Sequence, residues 1–151
     1  MTPLHYAVIK NCIEGANILI IHSADINERD VNDKTPLHYA VECEDTTTIA
    51  EMLVSNNDIE IDARDKNDKT PLHYAAKKLY FGQRIVSLLL SHGANIDAID
   101  AKGKTPLDHA LHYFYLKPTA KYLIACGASK SEELQNDSSY SEEEEEEYSS
   151  L

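Results

Sequence analysis

The sequence predicts an all-α repeat solenoid, a stack of short helix pairs with hairpin-like tips, followed by a disordered acidic C-terminal tail. Three observations predict it. The hexapeptide Thr2-Pro3-Leu4-His5-Tyr6-Ala7 recurs at Thr35 to Ala40 and at Thr70 to Ala75, and returns as Thr-Pro-Leu-Asp-His-Ala at Thr105 to Ala110. The spacings are 33, 35 and 35 residues, the near-constant period of a chain that stacks one supersecondary unit on the next. The charge is uneven: residues 129–151 hold nine acids against Lys130 and carry −8 of the chain's −12, which leaves −4 for residues 1–128.

Each unit opens with Thr at a helix-capping position and Pro at the first helical position, where φ is preset and no N–H needs a partner. Leu72, Ala75 and Ala76, at i, i+3 and i+4, form one apolar face, and the small alanine lets a partner helix come close. A second helix follows with Ile85, Val86, Leu89 and Leu90 on one side. Gly93 is placed to end it in the left-handed conformation, Gly127 does the same in the last unit, and Asn57 is expected to substitute in the second. The last unit's second helix is expected to start at Pro118. Helices this short do not persist alone, so stacking of neighbour on neighbour must hold them. Between units, Asp30-Val31-Asn32-Asp33-Lys34, Asp65-Lys66-Asn67-Asp68-Lys69 and Asp100-Ala101-Lys102-Gly103-Lys104 read as hairpin tips.

This motif and its period resemble the ankyrin repeat, over residues 2–128. The units fall at 2–34, 35–69, 70–104 and 105–128, the last a shortened C-terminal repeat, with the tail at 129–151. The family usually has Gly where Asp33 and Asp68 stand; only Gly103 obeys, and Asp tolerates the left-handed conformation better than most residues. One- or two-residue insertions near Asp58-Ile59 and around Leu79 to Gln83 are further departures. The first repeat lacks the hairpin arm that would precede it and presents Val8, Ile9, Ile13 and Ile18 to Ile21 without polar capping substitutions. The chain is therefore expected to be the C-terminal piece of a longer array, or the product of a truncated gene model.

Composition narrows the function. Apolar residues make up 42% of the chain, enough for a folded body. The acidic balance argues against gripping phosphates on nucleic acid or on an anionic membrane, and the longest aliphatic runs are far short of a membrane span. Cys12, Cys43 and Cys126 are odd in number, form no C-x-x-C pair and fit buried or half-buried helix positions. A reducing compartment, the cytoplasm with the nucleus as alternative, is expected. No phosphate loop, nucleophile elbow or zinc-protease motif is present, so no enzyme, cofactor, catalytic residue or metal site is expected. His5, His38 and His73 share one column and are read as structural imidazoles bridging the helix-start Thr and nearby backbone. His109 and His112, with Asp108 beside them, form a helical pair that lacks a third ligand for zinc.

What the resemblance implies is a non-catalytic protein–protein interaction scaffold or adaptor, binding a partner through the concave helix face and the hairpin tips. Carried over by column, the partner-binding residues are Asn32, Arg64, Lys66, Asn67 and Lys102 on the tips, with Tyr39, Glu42, Tyr74, Lys77, His109 and His112 on the inner helices. The lysines suggest a partner with an acidic or mixed-charge surface, and a monomer is expected. Two alternatives stay open: a detached ankyrin segment of a larger enzyme or channel, and an acidic-tail binder of basic proteins. Ser139 and Ser141, each with Glu three residues on, read as phosphorylation sites for an acidophilic kinase. The aromatic clusters Leu79-Tyr80-Phe81 and Tyr113-Phe114-Tyr115-Leu116 exceed what stacking needs. They read as a hydrophobic cluster under two enlarged loops, or as an anchor for a partner.

Overall fold

The computed structural model describes residues 1–43, 45–78, 82–112 and 117–131. Among them lie eight helices and no strand: α1 (Pro3–Ile9), α2 (Ile13–Ile21), α3 (Pro36–Glu42), α4 (Thr47–Val54), α5 (Pro71–Ala75), α6 (Gly82–Ser91), α7 (Pro106–Leu111) and α8 (Lys117–Ala125). Each odd-numbered helix packs against the even-numbered one that follows it. The odd helices also stack on one another, α1 on α3 on α5 on α7, and so do α2, α4, α6 and α8. The result is two layers of antiparallel helices.

The hexapeptide accounts for the inner layer. Thr2, Thr35, Thr70 and Thr105 are extended residues at the helix N-caps, and a proline takes the first helical position after each. Leu4, Leu37, Leu72 and Leu107 form one column, each at most 1% exposed. Ala40, Ala75 and Ala110 are fully buried where consecutive helices approach. In the outer layer Ile49, Leu53, Ile85, Leu89 and Leu123 close the core. Shortening one such leucine to alanine costs about 2–5 kcal/mol, so a single core residue weighs heavily in a stack this small.

The tips repeat in detail. The Asp30 carboxylate accepts the N–H groups of Asn32 at 2.8 Å and Lys34 at 3.0 Å. Asp65 does the same for Asn67 and Lys69, and Asp100 for Lys102 and Lys104. Asp33, Asp68 and Gly103 close the three turns at φ 59°, 56° and 69°. One tip is tied to the next by backbone bonds, Lys66 N–H to the Asn32 carbonyl at 3.0 Å and Ala101 N–H to the Asn67 carbonyl at 2.9 Å.

Several expectations need correction. Gly93 and Gly127 are left-handed as expected, but Asn57 is not; Ser23 takes that conformation in the first unit. After α4 the inserted residue permits a further turn, in which Ile59 N–H bonds the Asn56 carbonyl, so no left-handed residue is required. Cys12 and Cys126 are exposed just off helix ends, and only Cys43 is half-buried. Their columns hold no core position, because the inward faces of α2 and α8 are filled by Ala16 and by Ala120 with Leu123. The ordered body also runs past residue 128: Ser129 N–H bonds the Asp97 carboxylate at 2.7 Å and Ser131 N–H bonds Asp108 at 3.1 Å. The aromatic clusters at 79–81 and 113–116, Ser139 and Ser141, and the remainder of the tail lie outside the described residues.

Candidate partner-binding face

Two residue columns are built by the hexapeptide's fourth and fifth positions, and they have different fates. The fourth-position histidines turn inward. His5, His38 and His73 are fully buried. His38 Nδ1 accepts the Thr35 N–H at 3.1 Å and sits 3.0 Å from Thr35 Oγ1, while Nε2 is 3.0 Å from the Lys69 carbonyl. His5 and His73 make the same contacts with Thr2 and Lys34 and with Thr70 and Lys104. A ring nitrogen that faces an N–H must accept, so the proton sits on Nε2 and is donated to the carbonyl that closes the next tip. Each histidine thus caps its own helix and staples the next tip. Burial holds His38 below the usual histidine range and pushes His73 down to about 4, against the opposing pull of the Lys69 and Lys104 carbonyls.

Asp108 departs from this column. It still receives the Thr105 N–H, at 2.8 Å, but its carboxylate then accepts the Ser131 N–H at 3.1 Å. Thr105 Oγ1 donates to the Ser129 carbonyl at 3.0 Å, closing the same corner. Asp108 is therefore committed to the end of the stack and does not join His109 and His112 as a ligand.

The fifth-position side chains face the other way. The Tyr39 hydroxyl donates to Asp30 at 2.6 Å and the Tyr74 hydroxyl to Asp65 at 2.5 Å. In the third copy His109 takes the tyrosine's place, with Nε2 2.8 Å from Asp100. Burial opposes ionisation of each aspartate, yet the hydroxyl or imidazole and two backbone N–H groups outweigh it, leaving all three carboxyls below their usual range. Burial and the adjoining carboxylate push the Tyr39 and Tyr74 hydroxyls up. These rings stay neutral and fixed.

Lysines line the row. Lys34 Nζ lies 4.4 Å from the Tyr74 ring centre and 5.2 Å from that of Tyr39, and pairs with Glu42 at 2.5 Å. Lys69 Nζ stands 5.9 Å from the Tyr74 ring centre. Lys77 is held below the usual lysine range by burial and then by the like charge of Lys69. Burial lowers His109 as well, with Lys77 and Lys69 opposing the pull of Asp100. Tyr39, Glu42, Tyr74, Lys77 and His109 are thus brought to one face, and His112 is exposed at its end. Lys66 and Lys102 are exposed on the tips. Asn32 and Asn67 give their carbonyls to the tip-to-tip bonds. Arg64 is a staple: its guanidinium donates to the carbonyls of Asp68 at 3.1 Å and Ile99 at 2.7 Å, as Arg29 does to Arg64 at 2.7 Å.

Lys34 and Lys69 belong to this face as much as to the tips, a placement missed by treating them as tip residues only. The signal was available: Asp30 and Tyr39, Asp65 and Tyr74, Asp100 and His109 are each nine residues apart, a spacing that ties each tip to the helix that follows it. Among the described residues, His73, Asp100 and His109 bring ligand-type atoms within 4.8 Å of one another. Both nitrogens of His73 are already engaged, and freeing Nε2 for a metal would set a protonated Nδ1 against the Thr70 N–H. Within the group only His109 and Asp100 share a hydrogen bond, and His73 meets His109 edge to face with ring centres 5.6 Å apart.

Paired helices in two stacked layers, capped and stapled at a fixed period, define a repeat solenoid. The chain belongs to the ankyrin repeat family: a family model described as ankyrin repeats in three copies matches residues 1–65 and 45–133. No curated protein matches the chain. Ankyrin repeats are generally protein–protein interaction modules, and the family is typically non-catalytic. Among the described residues no helix is long and apolar enough to cross a membrane.

Proposed function

We propose that this protein is a non-catalytic scaffold or adaptor that holds an acidic or mixed-charge segment of another protein along the concave helix face and the tips. The observation that carries this reading is the row Tyr39, Tyr74 and His109, in which each side chain is pinned by an aspartate of the preceding tip. Pinned aromatic rings contribute contact area with little loss of side-chain entropy on binding. Lys69 and Lys77 beside them supply charge that an acidic segment would neutralise. Arg64, committed to carbonyls, takes part through its charge rather than through a free fork of donors. The three cysteines form no disulfide, which fits the proposed site of action in a reducing compartment, the cytoplasm.

The test is affinity capture by the full chain beside a variant carrying Lys66→Glu, Lys77→Glu and Lys102→Glu, with bound proteins read by mass spectrometry. The expected result is a partner retained by the native chain and lost by the variant, with binding that weakens as salt rises. Equal recovery of every partner by both chains would overturn the proposed face.

A further inference from the structure

The charge of the concave face is graded along the stack. In the inner-helix column Glu42 is followed by Lys77. On the tips Asp33 and Asp68 are followed by Gly103, and Asn32 and Asn67 by Lys102. Although Lys66 is followed by Ala101 and Lys77 by His112, the net charge of the tips 30–34, 65–69 and 100–104 runs −1, 0 and +1 toward the end at which the chain leaves the fold. Among the described residues none of Lys66, Lys69, Lys77 and Lys102 forms an ion pair, whereas Lys34, at the other end, is paired with Glu42. Lys69 and Lys77 crowd each other, and burial and that like charge hold Lys77 below its usual range. An anion seated between them would relieve the repulsion.

The exit point lies at α7, the helix that follows the third tip. Ser131 N–H bonds Asp108, whose counterpart one unit earlier, His73, bonds the carbonyl of Lys104 at the close of a tip. Ser131 thus takes the place at which a further tip would close. Residues 132–151 carry nine acids and no base, and Glu142 stands eleven residues beyond Ser131. Eleven residues reach up to about 36–40 Å, against about 10 Å between neighbouring stacked helices, so the run Glu142–Glu147 can reach the tips of the two preceding units.

We propose that the acidic run Glu142–Glu147 of this same chain docks on the cationic end of the concave face, at Lys69, Lys77 and Lys102, and competes there with acidic partners. The reading rests on that face being the binding surface proposed above. Tethering places the run at an effective concentration on the order of millimolar, so contacts too weak to hold a free peptide suffice. A partner must then be more acidic, or add aromatic contacts at Tyr39 and Tyr74, to displace it.

The test uses the full chain, native and with Glu142 to Glu147 all replaced by Gln, each labelled for amide NMR. Neutralising the run is expected to shift the resonances of Lys69, Lys77 and Lys102, and high salt is expected to move the native spectrum toward that of the variant. A hexaglutamate peptide should bind the variant about five-fold or more tightly than the native chain, and lose that advantage when Lys69→Gln and Lys77→Gln are added. Superimposable spectra with equal peptide affinities would overturn the proposal, as would shifts confined to Lys121, Lys130 and the residues next to Ser131. The two readings fail separately. Shifts at the three lysines alongside partner capture that ignores Lys66→Glu, Lys77→Glu and Lys102→Glu would sink the partner face alone. Salt-sensitive capture with no such shifts would sink the docked tail alone.

Discussion

The Asp108 carboxylate accepts the Ser131 N–H at 3.1 Å, while its column counterpart His73 offers a ring N–H to the Lys104 carbonyl at 3.1 Å. One column therefore reverses its hydrogen-bonding polarity at the last repeat. A histidine in the interior must reach a carbonyl of the next tip, because that is what the tip presents to it. At Asp108 the group that meets the column, among the described residues, is instead a backbone N–H, that of Ser131. An ionised aspartate can only accept, which suits that donor and no carbonyl.

This polarity predicts how Asp108 variants behave. Asp108→Ala leaves the Thr105 and Ser131 N–H groups without their acceptor and should cost about 1–3 kcal/mol, read from urea unfolding. Asp108→His restores the hexapeptide but sets Nε2–H against the Ser131 N–H. The Thr105 cap should survive while hydrogen exchange at Ser129 and Ser131 accelerates. Unchanged exchange at Ser131 in Asp108→His would refute the reversal.

The buried histidines set a pH dependence. Both His38 and His73 titrate below the ordinary value of 6.5 in the folded chain, His73 near 4. The unfolded chain therefore takes up protons first. Stability is fully present above pH 6.5, declines as pH falls below it, and levels for His73 once pH passes about 4. By pH 5 the share of His73 should be about 2 kcal/mol. Urea midpoints at pH 7.5 and 5 test this, and His73→Gln should remove its part of the slope while lowering stability at pH 7.5. The lowered carboxyls of Asp30, Asp65 and Asp100 act further down: their contribution is present above 3.8 and lost as pH falls through their folded values.

Much of the fold was legible because the hexapeptide carries its own physics: cap, preset φ, one leucine and one small alanine per turn pair, four times over. The left-handed Asp33, Asp68, Gly93 and Gly127 follow from the same local rules. Asn57 was misjudged because an insertion offered the chain a different turn, an option no single-position rule contains. The face was legible only by column. Tyr39 and Tyr74 could be placed on it, but their aspartate partners, and Lys34 lying over two rings from successive repeats, are contacts between units. The role of Asp108 was not legible, since nothing local indicates that residues 129–131 return to meet it.

The Tyr column suggests a stabilising change at position 109. Lys34 lies over Tyr74, and its counterpart one repeat on, Lys69, faces His109, whose titration both Lys69 and Lys77 disfavour. His109→Tyr should keep a hydrogen bond to Asp100 and gain a cation–π contact with Lys69, about 0.5–1 kcal/mol. That corresponds to a melting temperature higher by about 2–3 °C. A lower melting temperature would show that the column's geometry does not extend to the last repeat.

Asp33 and Asp68 give the last prediction. Both occupy the left-handed region, at φ 59° and 56°, where Gly103 sits in the third tip at 69°. A Cβ in this conformation costs about 1 kcal/mol, and no side-chain bond of either aspartate offsets that among the described residues. Glycine regains most of this, less the extra entropy it adds to the unfolded chain. Asp33→Gly and Asp68→Gly should each stabilise by about 0.5 kcal/mol, and the two should add, because they lie in separate tips. The double variant also removes two negative charges from the tip edge, so the same protein should bind the hexaglutamate peptide more tightly at low salt and equally at high salt. Unfolding free energies for the single and double variants, with peptide titrations at two ionic strengths, separate the backbone effect from the charge effect. A double variant less stable than the native chain would mean that these aspartates serve the turns in a way their backbone conformation does not reveal.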